Sequence, residues 1–226
     1  MESQLFVDWV ILFMIKRRKN KLIIISFILI LFGICCFVYD WYKDYRKVKH
    51  DNEMVETFFE ETSILENDLE QTEENKEETT KEETYIDNYI AVLEVPKIDL
   101  KRGLVDPDSY RNNVFYNVQI IKHSSMPDKL NSNLILASHS GSGYNAFFKN
   151  IYKLKQGDFS YVYYNGYKYI YQVDKIYDED KDGNIQIKRE HDKNTLTFIT
   201  CSYENKNKQI VIISYLKDKE QYSGRN

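Results

Sequence analysis

Two side chains in the second half of the chain, Cys201 and His139, have the chemistry of a nucleophile and its base. Cys201 directly follows the apolar run at 196–200, and His139 comes two residues after the apolar run at 134–137. Each therefore stands at the predicted end of a strand, where rigid scaffolds present reactive groups. A thiol next to an imidazole is the pairing that activates a cysteine for acyl transfer.

Cys201 also has a simpler interpretation as an inert core cysteine, which residue type alone leaves open. The other two cysteines, Cys35 and Cys36, lie in an apolar run near the N-terminus and provide no disulfide partner. A free thiol in an exported domain oxidises unless it is protected or used, which favours a nucleophile. Among the other histidines, His123 is the weaker candidate for the base, because a lysine separates it from its apolar run.

The elements that must position these residues are mostly strands. Short apolar runs at 89–95, 134–137, 196–200 and 209–216, and two aromatic arms joined by Asn165-Gly166, are typical of strands and one hairpin. Within 85–226, a helical face is predicted only over 144–155. We therefore expect a mainly β fold, a closed barrel of seven to eight strands with one or two short helices, over 85–226.

An N-terminal membrane anchor is predicted before this domain. Residues 22–39 carry no charge, and as a helix they are about 27 Å long, close to the roughly 30 Å of a bilayer core. The basic cluster at 16–21 indicates that residues 1–21 stay cytoplasmic and that the bulk of the chain is extracellular. The run lacks a small-residue cleavage site after it, so a single-pass anchor is favoured over a cleaved signal peptide.

The formal net charge of −4 conceals three segments of different character. Residues 1–50 carry nine basic and four acidic groups, and residues 51–84 carry two basic and fourteen acidic groups. Residues 85–226 carry 20 basic and 17 acidic groups. This balance predicts no nucleic-acid partner. Within the acidic helical or linker segment over 40–84, an amphipathic helix is predicted at 53–70, as a packed element or a stalk. A solvated linker is predicted at 71–84. No histidine–cysteine spacing typical of metal sites occurs, so no metal and no cofactor are expected.

The residues that follow these patterns resemble the sortases, membrane-anchored cysteine transpeptidases of Gram-positive bacteria. The run TFITC at 197–201 is similar to the TLxTC signature, and His139, 62 positions earlier, matches the family's catalytic histidine. The run VPKIDL at 95–100 resembles an early family strand. The continuation CSYE at 201–204, with the two predicted helices, resembles class B.

The resemblance implies a two-step transpeptidation on a closed sortase-type barrel at the cell membrane. Cys201 would cleave the C-terminal sorting signal of surface proteins through a thioester, and an amine of a cell-wall precursor or a pilin would resolve it. His139 would serve as acid and base. Sortases carry an arginine on the strand after the cysteine, whereas Gln209 and Lys208 are the nearest equivalents here, with Arg111 as a more distant alternative.

Two other classes stay open at this point. A papain-like protease also uses cysteine and histidine, but its cysteine normally comes first and lies on a helix, whereas here His139 precedes Cys201. A catalytically impaired pseudo-sortase, or a membrane-tethered binding module, is the alternative kept open by the missing arginine.

Overall fold

The computed structural model describes the backbone of residues 2–68 and 88–222, and the side chains of residues 25–43, 45–60 and 88–222. The predicted linker at 71–84 lies outside the described residues. The chain divides into two compact units, Met1–Lys49 and His50–Asn226, which are considered separately below.

The N-terminal element is one helix, α1, Glu2–Asp68. It contains the predicted anchor at 22–39, and the side chains of residues 25–43 are all exposed. Among the described residues this is the one helix long and apolar enough to cross a membrane, judged by length and composition. The helix predicted at 53–70 is helical as far as Asp68, but it is part of α1, which runs through that region without a break. No glycine or proline between residues 40 and 84 interrupts it.

The second unit is built on an eight-stranded sheet with two short 3₁₀-helices, Pro96–Ile98 and Ile151–Lys153. The strands are β1 Ala91–Val95, β2 Leu100–Leu104, β3 Gln119–Ile120, β4 Asn133–Ala137, β5 Phe159–Tyr164, β6 Tyr167–Asp180, β7 Thr195–Cys201 and β8 Lys208–Gln221. Their order is β2-β1-β5-β6-β8-β7-β4-β3. The β4–β7 pair is parallel, and the other strand pairs are antiparallel.

The predicted hairpin is confirmed. Tyr164 pairs with Tyr167 across the turn, and Asn165 and Gly166 have φ of 48° and 72°. Positive φ at both central residues is the type I′ pattern, whose twist matches that of the flanking strands. Asparagine and glycine are the residues that adopt this conformation most readily.

The prediction of a helix at 144–155 is wrong. Only Ile151–Lys153 is helical, as a 3₁₀ turn, and the preceding residues form successive turns. The Phe148 amide donates to the carbonyl of His139 at 3.0 Å, not to the carbonyl four residues earlier. Burial of Phe148, Ile151 and Leu154 in the core fixes this irregular path. Tertiary packing thus overrides the helical periodicity.

The sheet curls so that one face, here called the inner face, encloses the main core. Its largest fully buried side chains include Leu93, Leu134, Leu136, Phe148, Tyr169, Tyr171, Leu196, Phe198 and Ile212. The barrel is nearly closed rather than closed, since β2 and β3 are the two ends of the strand order. Asn117, two residues before β3, spans this gap by donating its side-chain amide to the carbonyl of Gly103 at 2.9 Å.

The part of α1 that belongs to the second unit packs against the outside of β1, β2 and β5. Val55 is buried there, and the ring of Phe59 meets that of Tyr163 edge-on at 5.1 Å. Beside this apolar contact, Arg102 donates to the carboxylate of Asp51. Of the two sequence alternatives for this helix, packed element or stalk, residues 51–59 show the packed one.

Candidate functional site

The ends of β4 and β7 bring His139 and Cys201 to the same edge of the sheet. The two strands are parallel neighbours, with Ala137 in register with Ile199. Beyond that pair, the Ser138 amide donates to the carbonyl of Ile199 at 3.4 Å. The Thr200 hydroxyl donates to the carbonyl of Ser138 at 2.7 Å. His139 and Cys201 are the next residues along their two chains.

Cys201 is the last residue of β7, and its side chain is exposed and free of any disulfide. Successive strand side chains alternate between faces. Leu196 and Phe198 point into the core, so Ile199 and Cys201 point to the opposite, outer face. The polar residues 202–207 then lead into β8. The thiol is thus accessible at a strand end, and the interpretation of Cys201 as a buried core residue is wrong.

The backbone and ring of His139 are held by different contacts. Its carbonyl accepts from the Phe148 amide, and its ring meets the ring of Phe115 edge-on, with centroids 5.5 Å apart. Phe115 is itself 63% exposed. Sequence reasoning missed Phe115, because nothing in the loop before β3 distinguishes it from neighbouring aromatics.

The structure places His123 away from the thiol. It follows β3, which runs antiparallel to β4, so it lies toward the start of β4 rather than its end. Ser124, the next residue, confirms this position, since its hydroxyl donates to the carbonyl of Ile135. His191 is exposed in the segment between β6 and β7.

Gln209 and Lys208 occupy different positions relative to Cys201. Gln209 is its direct cross-strand partner on β8, so the two side chains share the outer face. Lys208 is one residue earlier, and alternation sends its side chain to the other face. Its backbone carbonyl accepts from the Ser202 amide at 2.9 Å. On the other side of Gln209, its cross-strand partner on β6 is Glu179. The carboxylate of Glu179 forms an ion pair with the Lys188 Nζ at 2.5 Å.

The positions of three arginines bear on which residue could take the place of the family's arginine beside Cys201. Arg102 is buried against Asp51. Arg111 lies near Tyr89, and its positive charge lowers the pKa of the Tyr89 hydroxyl. Burial has the larger effect and raises that pKa overall to about 12. Arg189 donates to the carbonyls of Asn131 and Ser132 before β4, at the end of the sheet opposite Cys201. The register therefore puts Gln209, and neither Arg102 nor Arg189, beside the thiol.

The segment 181–194, between β6 and β7, covers part of the outer face. The Tyr177 hydroxyl donates to the carbonyl of Gln186 at 2.7 Å and accepts from the Lys188 amide at 2.9 Å. The Tyr215 hydroxyl accepts from the Glu190 amide at 2.8 Å. These two tyrosines do more than the barrel packing expected from sequence, since their hydroxyls attach the segment that borders the site.

A cavity of about 410 Å³ lies on the inner side of the loop that follows Cys201. Its walls include Ile210 and Ile212, and the ring of Tyr203 stacks on that of Tyr152 at 5.4 Å beside it. Cys201 is not among the residues that line this cavity. The candidate site at this sheet edge is thus a surface site and not this cavity.

Comparison with known proteins identifies the fold and the family. A family model for the sortase domain matches residues 93–217. Sortase A of Bacillus anthracis is 27% identical over 124 residues, which make up 54% of this chain and 57% of that relative's length. Sortase C of Streptococcus pneumoniae has a similar structure, with a TM-score of 0.55 at 18% identity, covering 75% of this chain and 97% of that one. The structure of sortase E1 of Streptomyces coelicolor is also similar, with a TM-score of 0.52 at 19% sequence identity. The match covers 59% of this chain and 90% of that one.

The structural similarities, at these identities, concern the fold alone. The family match extends over more than half of the chain, from within β1 to within β8, and takes in both strand ends described above. The chain therefore belongs to the sortase family.

Proposed function

We propose that this protein is a membrane-anchored cysteine transpeptidase in which Cys201 is the nucleophile. The observation that carries the proposal is the strand register at one sheet edge. Parallel β4 leads to His139, two residues beyond its end, parallel β7 ends in Cys201, and antiparallel β8 sets Gln209 opposite the cysteine. An exposed thiol, an imidazole and an amide donor together can form and resolve an acyl-enzyme.

In the first step, His139 takes the proton of the Cys201 thiol, and the thiolate attacks the carbonyl carbon of a threonine in a C-terminal sorting signal. A C–S bond forms, the peptide C–N bond breaks, and His139 gives a proton to the leaving amine. In the second step, an amine attacks the thioester. A new C–N bond forms, the C–S bond breaks, and His139 takes the proton that the amine loses.

Gln209 takes the place of the family's arginine in this proposal. Its amide NH₂ can donate to the oxygen that becomes negative in the tetrahedral intermediate, although it brings no charge. The register supports Gln209 over Lys208, whose side chain is on the other face. The same substitution is the specific observation that favours the alternative, a catalytically impaired pseudo-sortase or membrane-tethered binding module.

The partners and the location belong to the same proposal. Residues 1–21 are cytoplasmic, 22–39 span the membrane, 40–84 separate the membrane from the barrel, and 85–226 are the extracellular catalytic domain. The substrates are surface proteins that carry a sorting signal, and the acceptor is an amine of a cell-wall precursor or a pilin. The Streptococcus pneumoniae sortase C has been described with regard to its pilin substrate specificity.

We also propose a class B-like subclass, on two supports. One is the sequence CSYE at 201–204, and the other is the helix over 51–59 that packs on the barrel. The third expected feature, a helix after His139, is wrong and supplies no support.

The test is transpeptidation by the full-length chain in detergent micelles. Sorting-signal peptides of varied sequence are incubated with glycine and lysine amines, and products are identified by mass spectrometry. We expect cleavage after one residue and a new amide with one amine class. Cys201→Ala should abolish the product, and Lys208→Ala should retain it. Full activity of Cys201→Ala would overturn the proposal, and wild-type binding of a peptide without any cleavage would favour the binding module.

A further inference from the structure

Thr200, the residue before Cys201, is a polar side chain on the apolar inner face of β7. It is 5% exposed, and the inner-face residues before it on the strand are Leu196 and Phe198. A buried hydroxyl destabilises a fold unless it is hydrogen-bonded. The partner here is the carbonyl of Ser138, 2.7 Å away on the neighbouring β4 chain.

This hydrogen bond fixes the peptide group that leads into His139. The carbonyl of Ser138 accepts from Thr200, and the next carbonyl, that of His139 itself, accepts from the Phe148 amide at 3.0 Å. Two successive carbonyls, on either side of the His139 Cα, are therefore attached to two different parts of the barrel. Since the ring of His139 is only half-buried, these backbone contacts carry much of its placement.

We propose that Thr200 is a positioning residue that sets the separation between His139 and Cys201. The inference rests on the proposed function, because the separation matters when the imidazole exchanges protons during acyl transfer. One end of the hydrogen bond is one residue before His139, and the other is one residue before Cys201. Removing the hydroxyl leaves the Ser138 carbonyl unpaired and lets the segment after β4 shift. A misplacement of about 1 Å at a catalytic group can cost about 100-fold in rate.

The test compares Thr200→Val, which has the same shape without a hydroxyl, with Thr200→Ser, which keeps the hydroxyl. Thr197→Val is the matched control, because Thr197 is also buried and its hydroxyl donates to the Asn133 side chain at 2.8 Å. It is four residues from Cys201, or roughly 13 Å along the strand. All variants are the full-length chain in detergent micelles, with folding checked by circular dichroism.

We expect Thr200→Val to lower kcat of transpeptidation about 100-fold, with KM changed less than about threefold. Thr200→Ser should restore kcat to within about threefold, and Thr197→Val should stay within about twofold of wild type. If Thr200→Val does not fold, Thr200→Ala replaces it with the same expectation. Wild-type kcat in the hydroxyl-free variant, or an equal loss in Thr197→Val, would overturn the inference.

A second measurement does not depend on activity. In NMR spectra of chains with labelled histidine, the His139 ring signals carry the ring-current shift of Phe115, and exposed His191 serves as the internal reference. Thr200→Val should move the His139 signals, and Thr200→Ser and Thr197→Val should not. Unmoved His139 signals in Thr200→Val would overturn the positioning role. If the wild type transfers no peptide, the proposed function fails while these spectra still decide the inference.

Discussion

Replacing Arg102 by methionine should separate the helix over 51–59 from the barrel and loosen barrel closure at the same time. The Arg102 Nε donates to the Asn117 side chain at 2.7 Å, its Nη1 donates to Asp51, and its guanidinium lies 4.3 Å from the ring centroid of Phe147. Asn117 in turn donates to the carbonyl of Gly103 across the gap between β2 and β3. The Arg102 side chain thus contacts the helix over 51–59, the residues on the far side of the gap, and the loop before the 3₁₀ turn Ile151–Lys153.

The size of the effect follows from the burial of the pair. The side chains of Arg102 and Asp51 are 7% and 13% exposed. Breaking a buried ion pair from one side costs about 3–5 kcal/mol, because the other charge stays buried. The Tyr89 hydroxyl still donates to Asp51 at 3.2 Å and relieves part of this, so we expect the low end, about 3 kcal/mol. At roughly 2–4 °C per kcal/mol for a domain of this size, Tm should fall by about 6–12 °C.

The assay is thermal unfolding of the full-length chain in detergent, followed by the near-ultraviolet circular dichroism of the tyrosines. Lys101→Met is the matched control. It removes an exposed neighbour whose Nζ is 4.5 Å from the Phe59 ring centroid, and it should cost less than about 1 kcal/mol. Adding Asp51→Leu to Arg102→Met removes the stranded charge and should recover part of the loss. Equal losses for Arg102→Met and Lys101→Met, or a further loss in the double variant, would refute this reasoning.

Three further predictions concern the site and the packing. Gln209→Ala should lower the initial rate of transpeptidation by about 10²-fold or more, as for loss of an oxyanion donor, whereas Lys208→Ala should change it less than about twofold; similar rates for both would reject the register argument. Gly103→Ala should lower the free energy of unfolding by about 1–3 kcal/mol, because a Cβ there would be 2.0 Å from the Tyr89 ring, whereas Gly141→Ala meets nothing within 4 Å and should be neutral in the same urea titration. Burial raises the pKa of Tyr89 from 10.0 to about 12, so the folded state keeps its proton while the unfolded state loses it above pH 10. The free energy of unfolding should therefore be unaffected by this group below pH 10 and fall by about 1.4 kcal/mol per pH unit between pH 10 and 12, and Tyr89→Phe should make that fall shallower; an unchanged slope in the variant would contradict the assignment.

The strand ends next to which His139 and Cys201 lie could be predicted because their signals are local. The apolar runs before His139 and Cys201 have the length and composition of buried strands, and the Asn165-Gly166 turn has one favoured geometry. A cysteine or histidine that directly follows such a run is read from the same few residues. These features depend on short-range preferences that the fold does not override.

The contacts around the pair could not be predicted because they depend on which strands become neighbours. That β4 pairs in parallel with β7, and that Gln209 lies opposite Cys201, is decided by a register between segments far apart in the chain. The helical pattern at 144–155 was misleading for the same reason. The apolar residues of this segment enter the core from successive turns and not from one face of a helix. The hydrogen bond from the Phe148 amide to the His139 carbonyl fixes the path of the segment.

The way in which the barrel closes was also not predicted from the sequence. The sequence pattern predicts enough strands for a closed barrel, but β3 is only two residues long and does not pair with β2 among the described residues. The side chains of Asn117 and Arg102 bridge the gap instead, through the hydrogen bonds from Asn117 to the Gly103 carbonyl and from Arg102 to the Tyr116 carbonyl. Side-chain bridges of this kind leave no periodic pattern in a sequence.

The central claim, that Cys201 forms a thioester with the substrate, is tested most directly by intact-mass spectrometry of the full-length chain incubated with a cleavable sorting-signal peptide and no amine. We predict a covalent adduct with the mass of the N-terminal peptide fragment, mapped to Cys201, released by hydroxylamine and absent from Cys201→Ala. An amide product that still forms with Cys201→Ala, or an adduct mapped to another residue, would contradict the claim.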